Sequence, residues 1–278
     1  MSRLAFSAVF AAALTGCTGE ASKDQAPPGD SGTTVTDDTG DGGTGEDLLQ
    51  PGEGAFGGRI VDDDDAPLEG ILVNLCKESC YAQRTDADGR WQHVVPADIY
   101  SFEALEGDPM APTRGWPLAP VKVEDGSVRT LDTDVKMPLL THQQELRTEE
   151  WVAIADGLDL FCDPNSWTPP DLAAEDAEPW VGGVRVDVAS SGLPWDLLPG
   201  EPVALWYLHP LDTRPSADWS VRLRGDVGLV PGDAATLYVA DYGDRSWVAF
   251  STVTVDDEGA IRATNVPIPV MGPVVLVR

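Results

Sequence analysis

Positive charge is what this chain has least of. Against 47 aspartates and glutamates stand 18 lysines and arginines, for a formal net charge of -29 over 278 residues. So acidic a surface repels polyanions, which excludes nucleic acid and anionic lipid surfaces as partners attracted by charge. Scattered carboxylates read first as solubility and only second as cation ligands. Histidine is scarce too, with three in the chain. No Gly-x-Ser-x-Gly elbow occurs, and Ser190-Ser191-Gly192 follows a strand instead of joining strand to helix, so a nucleophilic serine has no setting. No apolar run reaches the roughly 18 residues that a membrane-spanning helix needs.

What is present begins at the N-terminus. Met1-Ser2-Arg3 precedes the apolar stretch Leu4 to Leu14, and Leu14-Thr15-Gly16-Cys17 closes it. This is the layout of a cleavable targeting segment. It resembles the bacterial lipobox, which implies cleavage before Cys17 and acylation of the Cys17 thiol and new amino group. Thr18, where a retention signal would place Asp, implies an outer-membrane lipoprotein on the periplasmic face or the cell surface. Residues 1–17 therefore read as the signal and 18–53 as a linker. The linker is Gly, Asp, Thr, Ser and Pro with carboxylates such as Glu20, Asp30 and Asp41 against the lone Lys23. It lacks the apolar surface to offset ordering entropy and reads as a disordered, self-repelling stalk with a span of roughly 30–35 Å.

With Cys17 assigned to lipid, Cys76, Cys80 and Cys162 remain. A straight strand would hold Cys76 and Cys80 about 13 Å apart, too far to bridge. The polar Lys77-Glu78-Ser79 suits a turn, so a Cys76–Cys80 disulfide is expected, leaving Cys162 buried and free or paired between chains. Zinc on this pair would need a second ligand pair that the surrounding sequence does not offer.

Residues 54–138 show short alternating runs between turn residues, the pattern of an all-β sandwich. Strands are expected at Ala55–Val61, Ile71–Leu75 and Ile99–Ala104. Tyr81–Thr85 and Arg90–Val94 read as a hairpin about Asp86-Ala87-Asp88-Gly89. Gly58-Arg59-Ile60-Val61, Pro67 to Val73, Thr85 to Trp91 and Val95 to Tyr100 resemble the carboxypeptidase regulatory-like domain, with Pro96-Ala97-Asp98 where that family usually has Pro-Gly. The resemblance covers under a third of the chain. It implies a transthyretin-like sandwich of seven strands and an accessory role, often beside peptidases. Residues 139–182 read as a connection containing a helix over Gln143–Ala155 and an irregular Pro- and Asp-rich excursion. Residues 183–278 return to strands, from Gly183–Ala189 to Pro273–Val277, with turns such as Pro199-Gly200 and Asp257-Glu258-Gly259. The expected fold is all-β: two antiparallel β-sandwich domains after a disordered linker, with a short helix or irregular excursion between them.

Candidate chemistry is sparse. His142-Gln143-Gln144-Glu145 has the His-x-x-Glu spacing of a metallocarboxypeptidase zinc pair, with His209 as the remaining ligand. Against it, no α/β domain of peptidase size fits the pattern after Gly183. Asp62 to Asp65, and Asp86 with Asp88 before Gly89, could face calcium, but position 95 is Val where an EF-hand needs Glu; turn chemistry is the preferred reading. Trp91, Trp206 and Trp247 fall within strands and read as core. Trp116, Trp167, Trp180 and Trp195 stand beside prolines, where an indole either packs the loop or stacks on a ligand. The favoured function is a non-enzymatic, lipid-anchored envelope protein without cofactor, bound to membrane through its N-terminal lipid and displaying protein- or carbohydrate-binding surface. The alternative is a metal-dependent hydrolase or peptidase accessory using His142, Glu145 and His209.

Overall fold

The computed structural model describes residues 49–107, 112–146, 150–168, 179–217 and 219–278, which belong to one compact unit. The signal-like segment with Cys17 and nearly all of the linker lie outside these residues. The protein is all-β, as its alternating runs require.

Strands β1 (Glu53–Val61), β2 (Leu72–Cys76), β3 (Cys80–Arg84), β4 (Arg90–Pro96), β5 (Asp98–Leu105), β6 (Leu118–Val123), β7 (Val128–Thr130) and β8 (Val135–Lys136) form two four-stranded sheets. One runs β4-β1-β7 with β8 also on β1; the other runs β3-β2-β5-β6. Alternation places Phe56, Trp91 and Val95 of the first sheet against Leu75, Phe102 and Val121 of the second, all buried. Trp91 stacks on Phe102 with ring centroids 5.3 Å apart, and Phe56 meets Trp91 edge-on at 5.4 Å. This is a sandwich, with β7 and β8 joining β1 in parallel.

Tyr81–Val94 departs from the expected hairpin. β3 pairs with β2, whereas β4 pairs with β1 in the facing sheet. The cause lies in the two strands themselves. β3 buries nothing and stays on β2 through its ladder and the Cys76–Cys80 bridge. β4 turns Trp91, His93 and Val95 inward and needs the core that β1 walls. The turn at Gly89, with φ +75, redirects the chain between them.

The second half comprises β9 (His142–Glu145), β10 (Glu150–Ala155), β11 (Leu158–Cys162), β12 (Trp180–Val186), β13 (Pro202–His209), β14 (Trp219–Leu223), β15 (Ala234–Asp241), β16 (Ser246–Thr254), β17 (Ile261–Val266) and β18 (Val274–Val277). They form a six-stranded sheet, β16-β15-β18-β13-β12-β9, and a four-stranded one, β10-β11-β14-β17. The helix expected over Gln143–Ala155 is not formed; that stretch supplies β9 and β10. Val152 and Ile154 point inward while Trp151 is exposed, a period of two, and β11 and β12 complete the ladders. Most of the Pro- and Asp-rich excursion, residues 169–178, lies outside the described residues.

The centre of the six-stranded sheet, β13 and β18, is buried on both faces. Ala204, Trp206, Leu208, Val274 and Leu276 face the core shared with β10, β11 and β14. Leu205, Tyr207, Val275 and Val277 face the core that also holds Phe56, Trp91 and Phe102. Continuous apolar runs such as Val274-Val275-Leu276-Val277 follow from a strand with no solvent side. The two halves are thus joined by a common wall. They approach closely at Gly115, where a Cβ would lie 2.6 Å from Val184 Cγ1 and 2.9 Å from Tyr207 Cδ2.

A shared wall has a thermodynamic consequence. Leu205→Ala opens one core and Leu276→Ala the other, each at a cost of about 2–5 kcal/mol. Both substitutions are expected to lower a single unfolding transition in calorimetry. Two transitions responding separately would show that the halves unfold independently.

Candidate functional site

The histidine set does not assemble. In a helix His142 and Glu145 would share a face, but in β9 an odd separation puts them on opposite faces. His142 lies across from Gly183, which pairs with Leu208; His209 pairs with Gly182, one register step away. The two histidines therefore sit on opposite faces of the sheet, two strands or about 10 Å apart. His209 is fully buried, and its Nε2 accepts a hydrogen bond from the Trp116 backbone N–H at 3.1 Å. The ring proton is then on Nδ1, so neither nitrogen has a lone pair free for a metal. Burial pushes the His209 pKa down to about 3. The zinc arrangement built on the His-x-x-Glu spacing of His142 and Glu145 with His209 is therefore corrected: the strand register puts these side chains on different faces.

The aspartate runs act as turn acceptors. Asp86 Oδ1 accepts from the Asp88 and Arg90 backbone N–H groups at 2.9 and 2.8 Å. Asp62 Oδ1 does the same for Asp64 and Ala66, and Asp65 pairs with Lys136. Among the described residues, no cluster of His, Cys, Asp and Glu has metal-binding geometry.

Of the four loop tryptophans, Trp116 and Trp167 are buried at 2% and 8% exposure and serve packing. Trp116 meets His209 edge-on at 5.2 Å, and Trp167 belongs to the core beneath β10 and β11. Trp180 is half-buried on β12. Trp195, also half-buried, lines an open groove of about 650 Å³. One side of the groove is Arg129 of β7 with Leu131, Asp132 and Thr133 beyond it; the other is Asp187–Ala189 and Gly192–Asp196 with Glu201 and Pro202. Arg129 and Asp196 pair across it, and the Lys136 N–H bonds Ser191 O at 3.0 Å beneath. Gly192 permits that approach: its φ is +68, and a Cβ would fall 2.2 Å from Asp134 O. Trp195 is backed by Trp247, with ring centroids 5.8 Å apart and planes inclined by 29°. Asp187 caps the turn at Ser190, and Glu201 pairs with Arg278. Asp132 is exposed and without a partner among the described residues.

The expected Cys76–Cys80 disulfide is present, joining register partners at the turn end of β2 and β3. Cys162 is a buried free thiol whose pKa burial and Asp163 push up to about 12. Behind the bridge lies a polar group that alternation alone conceals. Glu103 on β5 is 9% exposed, and its Oε1 accepts from Asn74 Nδ2 at 2.8 Å. Burial raises its pKa; the Asn74 amide opposes this, and the charge of Asp212 adds to it. Asp159, the other deeply buried carboxylate of interest, differs in kind because Arg222 and Arg224 both bond it. Glu103 has no cation among the described residues. Ser101 Oγ donates to Tyr242 O at 2.7 Å, tying this face of the sheet to the end of β15.

No protein-family model matches the chain, and no curated protein sequence does. Among solved structures, the Bacillus anthracis TIE protein is similar over 82% of this chain, which spans 31% of that protein, at 11% identity and a TM-score of 0.27. A minor pilin of Streptococcus agalactiae, GBS52, is similar over 35% of this chain and 49% of its own, at 13% identity and a TM-score of 0.26. A DUF3823 family protein from Parabacteroides merdae is similar over 82% and 81% respectively, at 9% identity and a TM-score of 0.24. Likeness at this level assigns no function.

His209 gives the site a testable pH signature. Its folded pKa lies below the ordinary value, so its neutral form stabilises the fold fully above about pH 6.5, and that stability drains away toward about pH 3. The slope contributed is one proton, about 1.4 kcal/mol per pH unit. His209→Asn is expected to flatten thermal stability against pH over this window relative to the parent. An unchanged slope would mean that His209 titrates freely.

Proposed function

We propose that this is a non-enzymatic, lipid-anchored protein of the cell envelope that presents the Trp195 groove to a carbohydrate or protein ligand. The observation that carries the reading is what the groove contains. Trp195, held by Trp247, offers an apolar ring plane, and Asp132 and the Arg129–Asp196 pair offer an acceptor and donor beside it. That combination suits a ligand with apolar faces and a hydroxylated or amide rim. Walls pinned through Arg129–Asp196 and Lys136–Ser191 would hold the groove in shape before ligand arrives, which limits the ordering cost of binding. The Cys76–Cys80 bridge supports an oxidising compartment, and the lipobox-like Leu14-Thr15-Gly16-Cys17 supports attachment there.

Binding is tested by a glycan array and by pull-down from envelope extracts, followed by Trp195→Ala. Loss of one such anchor is expected to weaken the ligand by about tenfold or more. Binding that survives at full strength in a folded Trp195→Ala variant would remove the groove from the reading. Attachment is tested separately: Cys17→Ser is expected to release the protein from the membrane fraction, and continued retention would end the lipid-anchor reading.

A further inference from the structure

The Cys76–Cys80 bridge adds little as a staple. It closes the short turn Lys77-Glu78-Ser79, whose ends the β2–β3 ladder already holds from Leu72↔Arg84 to Cys76↔Cys80, and a loop so short gains the least from a cross-link. Its two sulfurs sit in opposite environments. Cys80 is exposed, and its Sγ stands 3.2 Å from the Tyr242 hydroxyl. Cys76 is buried at 1% exposure, and its Sγ stands 4.0 Å from Glu103 Oε1. Glu103 is itself a buried carboxyl without a cation among the described residues, oriented by Asn74. A buried carboxyl with no cation beside it is costly to keep in its charged form.

We propose that Cys76–Cys80 is a thiol–disulfide exchange site, in which a cysteine thiolate of another protein or peptide attacks Cys80 Sγ and Glu103 protonates the departing Cys76 sulfur. One S–S bond forms, between Cys80 and the partner, and one breaks, between Cys80 and Cys76. The partner thiolate is oxidised to the mixed disulfide, Cys76 is reduced to a thiol, and the proton it gains comes from the Glu103 carboxyl. In reverse, Glu103 takes that proton back as Cys76 attacks Cys80 and expels the partner thiolate. The product is a reversible covalent link to a thiol-bearing partner. Attack at Cys80 follows from exposure. A thiolate left at buried Cys76 would be unsolvated and needs a proton at once. Burial raises the Glu103 pKa and so favours its protonated form; the Asn74 amide opposes this and the charge of Asp212 adds to it. Asp212 is in turn paired with Arg214. The Tyr242 hydroxyl donates to the Cys80 sulfur, where charge spreads during exchange. Cys162 does not compete: it is buried in the other core and held protonated.

The test uses the full chain with reduced glutathione as the probe, following adducts and freed thiols by alkylation and mass spectrometry across a pH series. Glutathione is expected on Cys80, with Cys76 released as the free thiol. Glu103→Gln is expected to slow release at least ~10-fold and to erase the inflection that Glu103 gives the pH profile. Tyr242→Phe, which keeps the ring and its packing, is expected to slow exchange without moving that inflection. Glutathione attached to Cys76, no adduct in excess glutathione, or a folded Glu103→Gln variant with parental rate and pH profile would each overturn the proposal. If Glu103→Gln does not fold, the adduct position and the Tyr242→Phe profile decide it. None of these outcomes depends on the Trp195 groove.

Discussion

The structure depends on one constraint: the centre of the six-stranded sheet must be covered on both faces. Leu205 and Tyr207 point one way while Trp206 and Leu208 point the other, and all four are buried. Such a sheet cannot stand in water with either face bare, because each face carries a row of large apolar side chains. The β10-β11-β14-β17 sheet covers one face. The other is covered by the first sandwich, through residues 115–123 and through the sheet that carries Asn74, Ser101 and Glu103. The second half is therefore complete only against the first.

Much of this was legible in the sequence, and the exceptions share a cause. Strands such as Pro202–His209 and Ser246–Thr254 were visible in their apolar and β-branched runs and bounding turns, because those signals are local. The helix over Gln143–Ala155 was misread because Leu146, Trp151, Val152 and Ile154 satisfy either period in a short window, and only the partners β11 and β12 decide between them. That choice carried the chemistry with it. His-x-x-Glu converges on a helix and diverges on a strand, and the spacing that suggested a metal pair does not itself say which of the two it will lie on. The Tyr81–Val94 hairpin failed for a related reason: Asp86 and Gly89 specify a turn, but a turn does not specify that its two flanking strands share a sheet.

Glu103 shows the same limit from the other side. In Tyr100-Ser101-Phe102-Glu103-Ala104 the polar residues alternate with apolar ones, as in a strand with one face in solvent. Within the first sandwich alone that reading is sound. The face becomes an interior only when Tyr242 and Asp212, more than a hundred residues away, close over it. A buried carboxyl created by distant chain leaves no local signature. Cys76–Cys80 was legible because both cysteines lie within one hairpin, yet the group behind the bridge was not.

The acidity of the chain also takes on a more definite meaning. Asp62, Asp86 and Asp256 each accept two backbone N–H groups at the start of a turn, and Asp187, Asp226 and Asp241 accept one or more in the same way. An all-β chain with many short strands needs many turns, and each turn leaves N–H groups that a strand ladder cannot reach. Aspartate answers that need at the cost of a negative charge. Part of the charge imbalance is therefore a by-product of topology, and a carboxylate already holding two N–H groups has less left to offer a cation. That is why acidic composition alone does not point to a site, whereas two carboxylates differ from the rest: among the described residues Asp132 is exposed and unpaired beside Trp195, and Glu103 is buried without a cation behind Cys76.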